Sequence, residues 1–139
     1  MTKRCLNPEL LFKSVDHGFS QAVLATGTMV FVSGQVAWNV ERQIVGRTLV
    51  EQTRQSLRNL EVALDAAGGS MNDVASVRIY IVEAERANLH QISEALREAF
   101  PSDPPASTWI GVSFLANQDF LVEIEATALI ASTRYTSST

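Results

Sequence analysis

The sequence predicts an α+β fold, a two-layer sandwich in which two helices cover one face of a mixed sheet of about six strands. Three observations carry the layered architecture. Two stretches place apolar residues every three or four positions, the period of helices lying on a core. Several shorter stretches alternate apolar and polar residues, or run apolar between turn residues, as strands do. Their order along the chain is strands, helix, strand, helix, strands, which puts both helices on one side of the sheet.

Residues 21–25 and 28–32 are apolar runs flanking Thr26-Gly27, the pattern of a β-hairpin in which Gly27 supplies a positive φ, and the second run continues through Ser33-Gly34-Gln35-Val36. Thr48 and Glu51 have the spacing of a capping box, in which each side chain satisfies an orphan backbone donor at a helix start. Leu49, Thr53, Leu57, Leu60, Leu64 and Ala67 then form one stripe that stops at Gly68-Gly69. Residues 74–82 set Val77, Ile79 and Ile81 on one face and Arg78 and Tyr80 on the other, as in a half-buried strand. Leu89, Ile92, Leu96 and Phe100 mark the second helix, ended by Pro101 and the Asp103-Pro104-Pro105 loop. Residues 107–115 and 120–130 are the last strands, joined by Ala116-Asn117-Gln118-Asp119, a polar connection of hairpin length. The 139 residues are expected to form a single domain, with its core over about 18–130 and a loose polar tail over 132–139.

Composition narrows the function classes. Hydrophobic residues at 46% and charged residues at 19% suit a folded domain rather than a disordered chain. A formal net charge of -4, with Lys3-Arg4 the one adjacent basic pair, argues against nucleic acid as the main partner. No apolar run reaches the ~18 residues that span a bilayer, so no membrane association and a cytoplasmic location are expected. The single Cys5 has no disulfide or metal-binding cysteine partner, and His17 and His90 are far apart, so neither a metal site nor a cofactor is expected. Trp109, Leu115, Leu121 and Leu129 are candidates for the uncovered sheet face, and a homo-oligomer would bury that face.

The main chemical signal is Val122-Glu123-Ile124-Glu125-Ala126, in which a strand points both carboxylates to one face and the apolar residues to the other. Burial and mutual repulsion on that face would suit at least one of them to general acid or base work. The alternative reading leaves both solvated or paired with Arg78. Ser33 is either a donor at a cleft edge or a satisfied turn residue, and Trp109, which alternates with Ser107, is either a pocket wall or an interface plug.

Phe31-Val32-Ser33-Gly34-Gln35, Glu51-Gln52-Thr53-Arg54-Gln55, residues 57–60, Ala66-Ala67-Gly68, Pro105-Ala106 and Val122-Glu123-Ile124-Glu125-Ala126 follow the order and spacing of the RidA/YjgF/YER057c/UK114 family, the Rid superfamily. The chain resembles that family from about Gly18 to Ile130. The resemblance implies a chorismate-mutase-like α+β sandwich that assembles as a trimer, with small-molecule clefts shared between subunits. It also implies cofactor-free hydrolysis of enamines and imines such as 2-aminoacrylate. Glu123 then takes the catalytic, water-activating role with Glu125 beside it, and Ser33, Phe19, Ser107 and Trp109 line the substrate site.

The departures from the family pattern are as informative as the matches. Where it runs Pro-Ala-Arg the chain has Pro105-Ala106-Ser107, and serine supplies neither the fixed charge nor the paired donors that grip a carboxylate. Phe19 stands where deaminating members often carry tyrosine, and Trp109 replaces a smaller residue. The chain thus looks like a divergent member. One reading is a deaminase-like hydrolase on another small molecule, with the general 2-aminoacrylate activity weak or lost. The other is a ligand-binding or interaction trimer without catalysis. The endoribonuclease activity for which the family is also named is disfavoured by the acidic balance.

Overall fold

The computed structural model describes residues 3–132. The chain runs β1 (Lys3–Leu6), β2 (Ala22–Ala25), β3 (Thr28–Gln35), α1 (Leu49–Ala66), β4 (Val74–Val82), α2 (His90–Ala99), β5 (Ala106–Val112) and β6 (Val122–Ile130). From residue 133 onward the expected polar tail lies outside the described residues.

The expected α+β architecture is present, with its six strands divided between two sheets. β3, β6, β4 and β5 form a mixed sheet in that order, and β1 pairs antiparallel with β2 in a separate ribbon. A single parallel bridge between Ser20 and Ala106 joins the segment before β2 to the outer edge of β5. Both expected hairpins are replaced by longer-range pairings. β2 and β3 lie in different sheets, and Gly27, at φ 137°, carries the chain from one to the other while passing close against the Ile130 carbonyl. β5 and β6 are separated by β4, which pairs parallel with β5 and antiparallel with β6. The pairings differ from expectation because alternation fixes which face a residue shows and leaves its neighbouring strand undetermined.

α1 forms as its sequence dictates. Thr48 Oγ1 accepts from the Glu51 backbone N–H, and the Glu51 carboxylate accepts from the Thr48 N–H. The Thr48 hydroxyl also donates to Glu51 Oε1 at 2.8 Å, and this bond, followed by that from the Thr48 N–H, holds the Glu51 carboxyl below its ordinary pKa. At the other end the Gly69 N–H reaches the Leu64 carbonyl and the Gly68 N–H that of Asp65, the paired bonds of a Schellman stop, with Gly68 at φ 83°. Leu49, Thr53, Leu57, Leu60 and Leu64 are buried against the sheet. α2 adds Ile92, Ala95 and Leu96 and is clamped to α1 by Arg54, whose guanidinium donates to Glu98 at 2.9 and 2.8 Å and to Glu94 at 3.3 Å.

The core lies between the helices and the sheet face formed by Val32, Val77, Ile79, Ile81, Val122, Ile124, Ala126 and Ala128. Leu60 is fully buried there, so Leu60→Ala is expected to cost about 2–5 kcal/mol and to lower Tm by roughly 10 °C, measurable by thermal denaturation. Of the four residues expected on the uncovered face, Leu129 lies on it, opposite Met29 of β3. Trp109 and Leu121 instead pack against the core cluster. Apolar character on the uncovered face comes largely from β3, where Phe31 is 75% and Met29 54% exposed. Cys5 sits half-buried in β1 with its thiol toward the Pro104 carbonyl. Among the described residues no helix is long and apolar enough to cross a membrane.

Candidate functional site

Glu123 and Glu125 share one sheet face, as their spacing predicts, opposite Tyr80 and Arg78 of β4 respectively. The structure gives the two carboxylates different surroundings. The Tyr80 hydroxyl donates to Glu125 Oε1 in a short hydrogen bond. That bond, and secondarily burial, raises the Tyr80 phenol above its ordinary pKa, since the neutral phenol is the form that donates. Arg78, the cross-strand neighbour of Glu125, forms no ion pair among the described residues. The expected alternative pairing with Arg78 is thus replaced by a phenol–carboxylate pair.

Glu123 is placed by a β-bulge. β3 and β6 are in register at Val32 and Ala126 and again at Gln35 and Ile124, so Ser33 and Gly34 together occupy the length of one residue on β6. The bulge brings the Gly34 backbone against the Glu123 carboxylate so closely that a side chain at position 34 would collide with Oε2. Gly34 is not among the glycines with positive φ, so close approach rather than backbone conformation is what its missing side chain permits. Among the described residues no hydrogen bond or ion pair engages the Glu123 carboxylate, which can accept a proton or an N–H bond from a ligand or a water. Ser33, the other residue of the bulge, is exposed, and its carbonyl accepts from Gln35 Nε2 at 3.0 Å.

Phe19, Ser107 and Trp109 form a second group. Trp109 Nε1 donates to Ser107 Oγ at 2.8 Å, and the Phe19 and Trp109 rings meet at 6.0 Å and 58°. In the parallel β4–β5 pair Ser107 is level with Val77 and Trp109 with Ile79, which belong to the helix-covered face. Ser107 and Trp109 therefore do not share the carboxylate face within one copy of the chain, contrary to the sequence expectation. The cause is the interposed β4, which sets the parity of β5. Phe19 and Ser107 line a cleft of about 210 Å³ together with Arg78 and Thr108. Glu123 lines a different one of about 690 Å³, with Gly34, Trp38, Val62 and Phe120.

A family model described as endoribonuclease L-PSP matches residues 13–130. The chain belongs to this family, the RidA/YjgF family. It is 37% identical over 111 residues to a RutC family protein of Pyrococcus horikoshii, covering 79% of this chain and 85% of that one. It is 32% identical over 113 residues to the 2-iminobutanoate/2-iminopropanoate deaminase of Dermatophagoides farinae, covering 81% and 85%. Among solved structures it resembles a Rid-family protein of unknown function from Yersinia pestis, at 41% identity and a TM-score of 0.87, covering 94% of this chain and all of the other.

For a RidA/YjgF protein the wall of the Glu123 cleft is the part that sequence reasoning missed. Trp38 and Phe120 meet edge to face at 4.9 Å, and Arg42 lies 4.8 Å over the Trp38 ring. Asn59 of α1 donates to the carbonyls of Val36 and Trp38 at 2.9 and 2.8 Å, tying the loop after β3 to the helix. Gln52 performs the same service for the approach to β6, donating to the Asp119 carbonyl at 3.0 Å and accepting from the Leu121 N–H at 2.9 Å. One signal was available. Gln52 is a long polar residue next to Thr53 of the apolar stripe, and a buried amide of that size is held by hydrogen bonds, here to the backbone of residues 119 and 121.

Proposed function

We propose that the chain is a hydrolase of small imines or enamines in which Glu123 is the general base and no arginine at position 107 anchors a substrate carboxylate. The observation that carries the reading is the unpartnered Glu123 carboxylate held against Gly34 at the bulge. In the reaction Glu123 takes a proton from water as the water oxygen bonds to the imine carbon, giving a carbinolamine. For a protonated imine this carbinolamine is neutral; the proton on Glu123 passes to its nitrogen, the C–N bond breaks as ammonia leaves, and the hydroxyl proton goes to Glu123 or to water, which frees the carbonyl compound. The chain's own residues suffice for this balance, with water as co-reactant. Glu125, already accepting from Tyr80, acts as a neighbour that fixes the strand face.

The site is proposed to be completed between copies of the chain in a homotrimer. Glu123 and Ser107 line separate clefts in one copy, and the uncovered face carries exposed Phe31 and Met29. Size measurement in solution tests this, and a stable monomer would rule it out. A ligand-binding trimer without turnover is the second reading. It is favoured by the Trp109–Ser107 hydrogen bond, which sets the indole against the altered position and leaves one neutral O–H there.

The deciding assay follows ammonia release from imines generated in situ by an amine oxidase, with dioxygen as the oxidant, from primary amines that carry no carboxylate. Glu123→Gln is expected to lower turnover by about 10²- to 10⁴-fold. Unchanged turnover in that variant would remove Glu123 from the reaction, and absence of turnover by the parent chain across the panel would favour the second reading.

A further inference from the structure

We infer that the Glu123 cleft contains a subsite for an apolar, ring-sized substituent and selects amine-like ligands over carboxylates, with Trp38 and Phe120 as its specificity-determining wall. The inference rests on Glu123 being the working carboxylate and adds the class of molecule it works on.

The cleft, at about 690 Å³, falls within the range of small-molecule sites, and Glu123 stands in it beside Trp38, Val40, Val62, Ala63 and Phe120. Its wall is already set in place. Asn59 holds the carbonyls of Val36 and Trp38, the Val45 N–H bonds to the Ala37 carbonyl at 2.8 Å, and the edge-to-face contact with Phe120 fixes the indole. Val40 and Val62 are 96% and 68% exposed at this cleft, apolar surface that a ligand ring would cover.

The polar groups around the cleft decide the sign of the ligand. Each side-chain amide on the wall already donates to the protein. Gln35 Nε2 donates to the Ser33 carbonyl, Asn39 Nδ2 to Gln43 Oε1 at 2.9 Å, and Asn59 Nδ2 to two backbone carbonyls. Glu123, in contrast, has a carboxylate with no donor among the described residues. A ligand carboxylate would meet the like charge of Glu123; Gln35 and Asn39 each keep one neutral amide N–H, and the cation at this wall, Arg42, lies over the Trp38 ring and is not among the residues lining the cleft. An ammonium, iminium or N–H group would form a charge-assisted hydrogen bond while its apolar substituent enters the Trp38 side of the cleft.

The test uses benzylamine, methylamine and benzoate as probes of the full-length protein, read by thermal shift and tryptophan fluorescence. Benzylamine is expected to bind at least about tenfold more tightly than methylamine, with benzoate weakest of the three. Trp38→Ala is expected to erase the preference for benzylamine over methylamine. Val62→Lys, at an exposed helix position where folding is undisturbed, is expected to weaken benzylamine about tenfold by placing a positive charge at the cleft. Equal binding of the two amines, tighter binding of benzoate, or benzylamine binding indifferent to both substitutions would overturn the inference. The two readings fail separately. Glu123-dependent turnover of small imines without the aryl preference would leave the proposed reaction standing and remove the subsite. An aryl preference with turnover unaffected by Glu123→Gln would do the reverse.

Discussion

Replacing Gly34 by Ala is expected to leave the protein folded while lowering Glu123-dependent turnover by about 10²-fold, the order of loss that misplacing a reacting group by an ångström produces. A methyl group at position 34 would overlap Glu123 Oε2 and crowd the two carbons behind it. What must yield is the far end of a flexible side chain, so the carboxylate swings away and the backbone stays. The residue's φ lies outside the left-handed region, so alanine meets no conformational penalty there. Gly27 gives the opposite case. At φ 137° it faces the backbone carbonyl of Ile130, which cannot move aside, and alanine at that position would strain the link between the two sheets. Activity assays and thermal denaturation of Gly34→Ala together check the claim. Wild-type turnover would show that the contact does not position Glu123, and a large fall in Tm would show that the bulge itself had failed.

The features legible in the sequence are those that depend on local chemistry. The start of α1 at Thr48, its buried stripe and its stop at Gly68 follow from hydrogen bonds and periodicity within a few residues. The common face of Glu123 and Glu125 follows from strand alternation alone. Strand partners were not legible, because alternation says nothing about which strand lies alongside. β4 lies between β5 and β6, which dissolves one expected hairpin and sets Ser107 level with Val77 on the helix-covered face, while β2 leaves β3 to pair with β1 and so dissolves the other. β1 went unread because Lys3-Arg4-Cys5-Leu6 has no strand-like alternation and takes its order from β2. The engagement of Glu125 by Tyr80 rather than Arg78 depends on side-chain reach within a register that only the fold sets. The Trp38–Phe120 wall joins positions on two loops far apart in the chain, and no local pattern connects them.

Small carboxylates such as propionate are expected to bind this chain more weakly, by about 30-fold or more, than a variant carrying Ser107→Arg together with Trp109→Ala. A charge-assisted pair in a partly desolvated cleft is worth roughly 2–5 kcal/mol, and 1.4 kcal/mol corresponds to a tenfold change in affinity. Serine at position 107 accepts from the Trp109 indole at 2.8 Å and keeps one O–H to donate, a single neutral bond where arginine would supply a charge and paired donors. The arginine substitution alone is expected to gain little. Its side chain would enter the space held by Trp109, which packs on the core and against Phe19, and would leave the indole N–H without its acceptor. Trimming Trp109 removes that obstruction, so the gain should appear in the double variant and be more than additive over the single ones. Arg78 serves as the internal control, since it lines the Phe19–Ser107 cleft and has no ion-pair partner among the described residues. If the parent chain binds propionate tightly and Arg78→Ala abolishes that binding, Arg78 has taken over the anchoring role and the loss attributed to Ser107 is compensated. If neither the parent nor the double variant distinguishes propionate from propionamide, position 107 does not face the substrate.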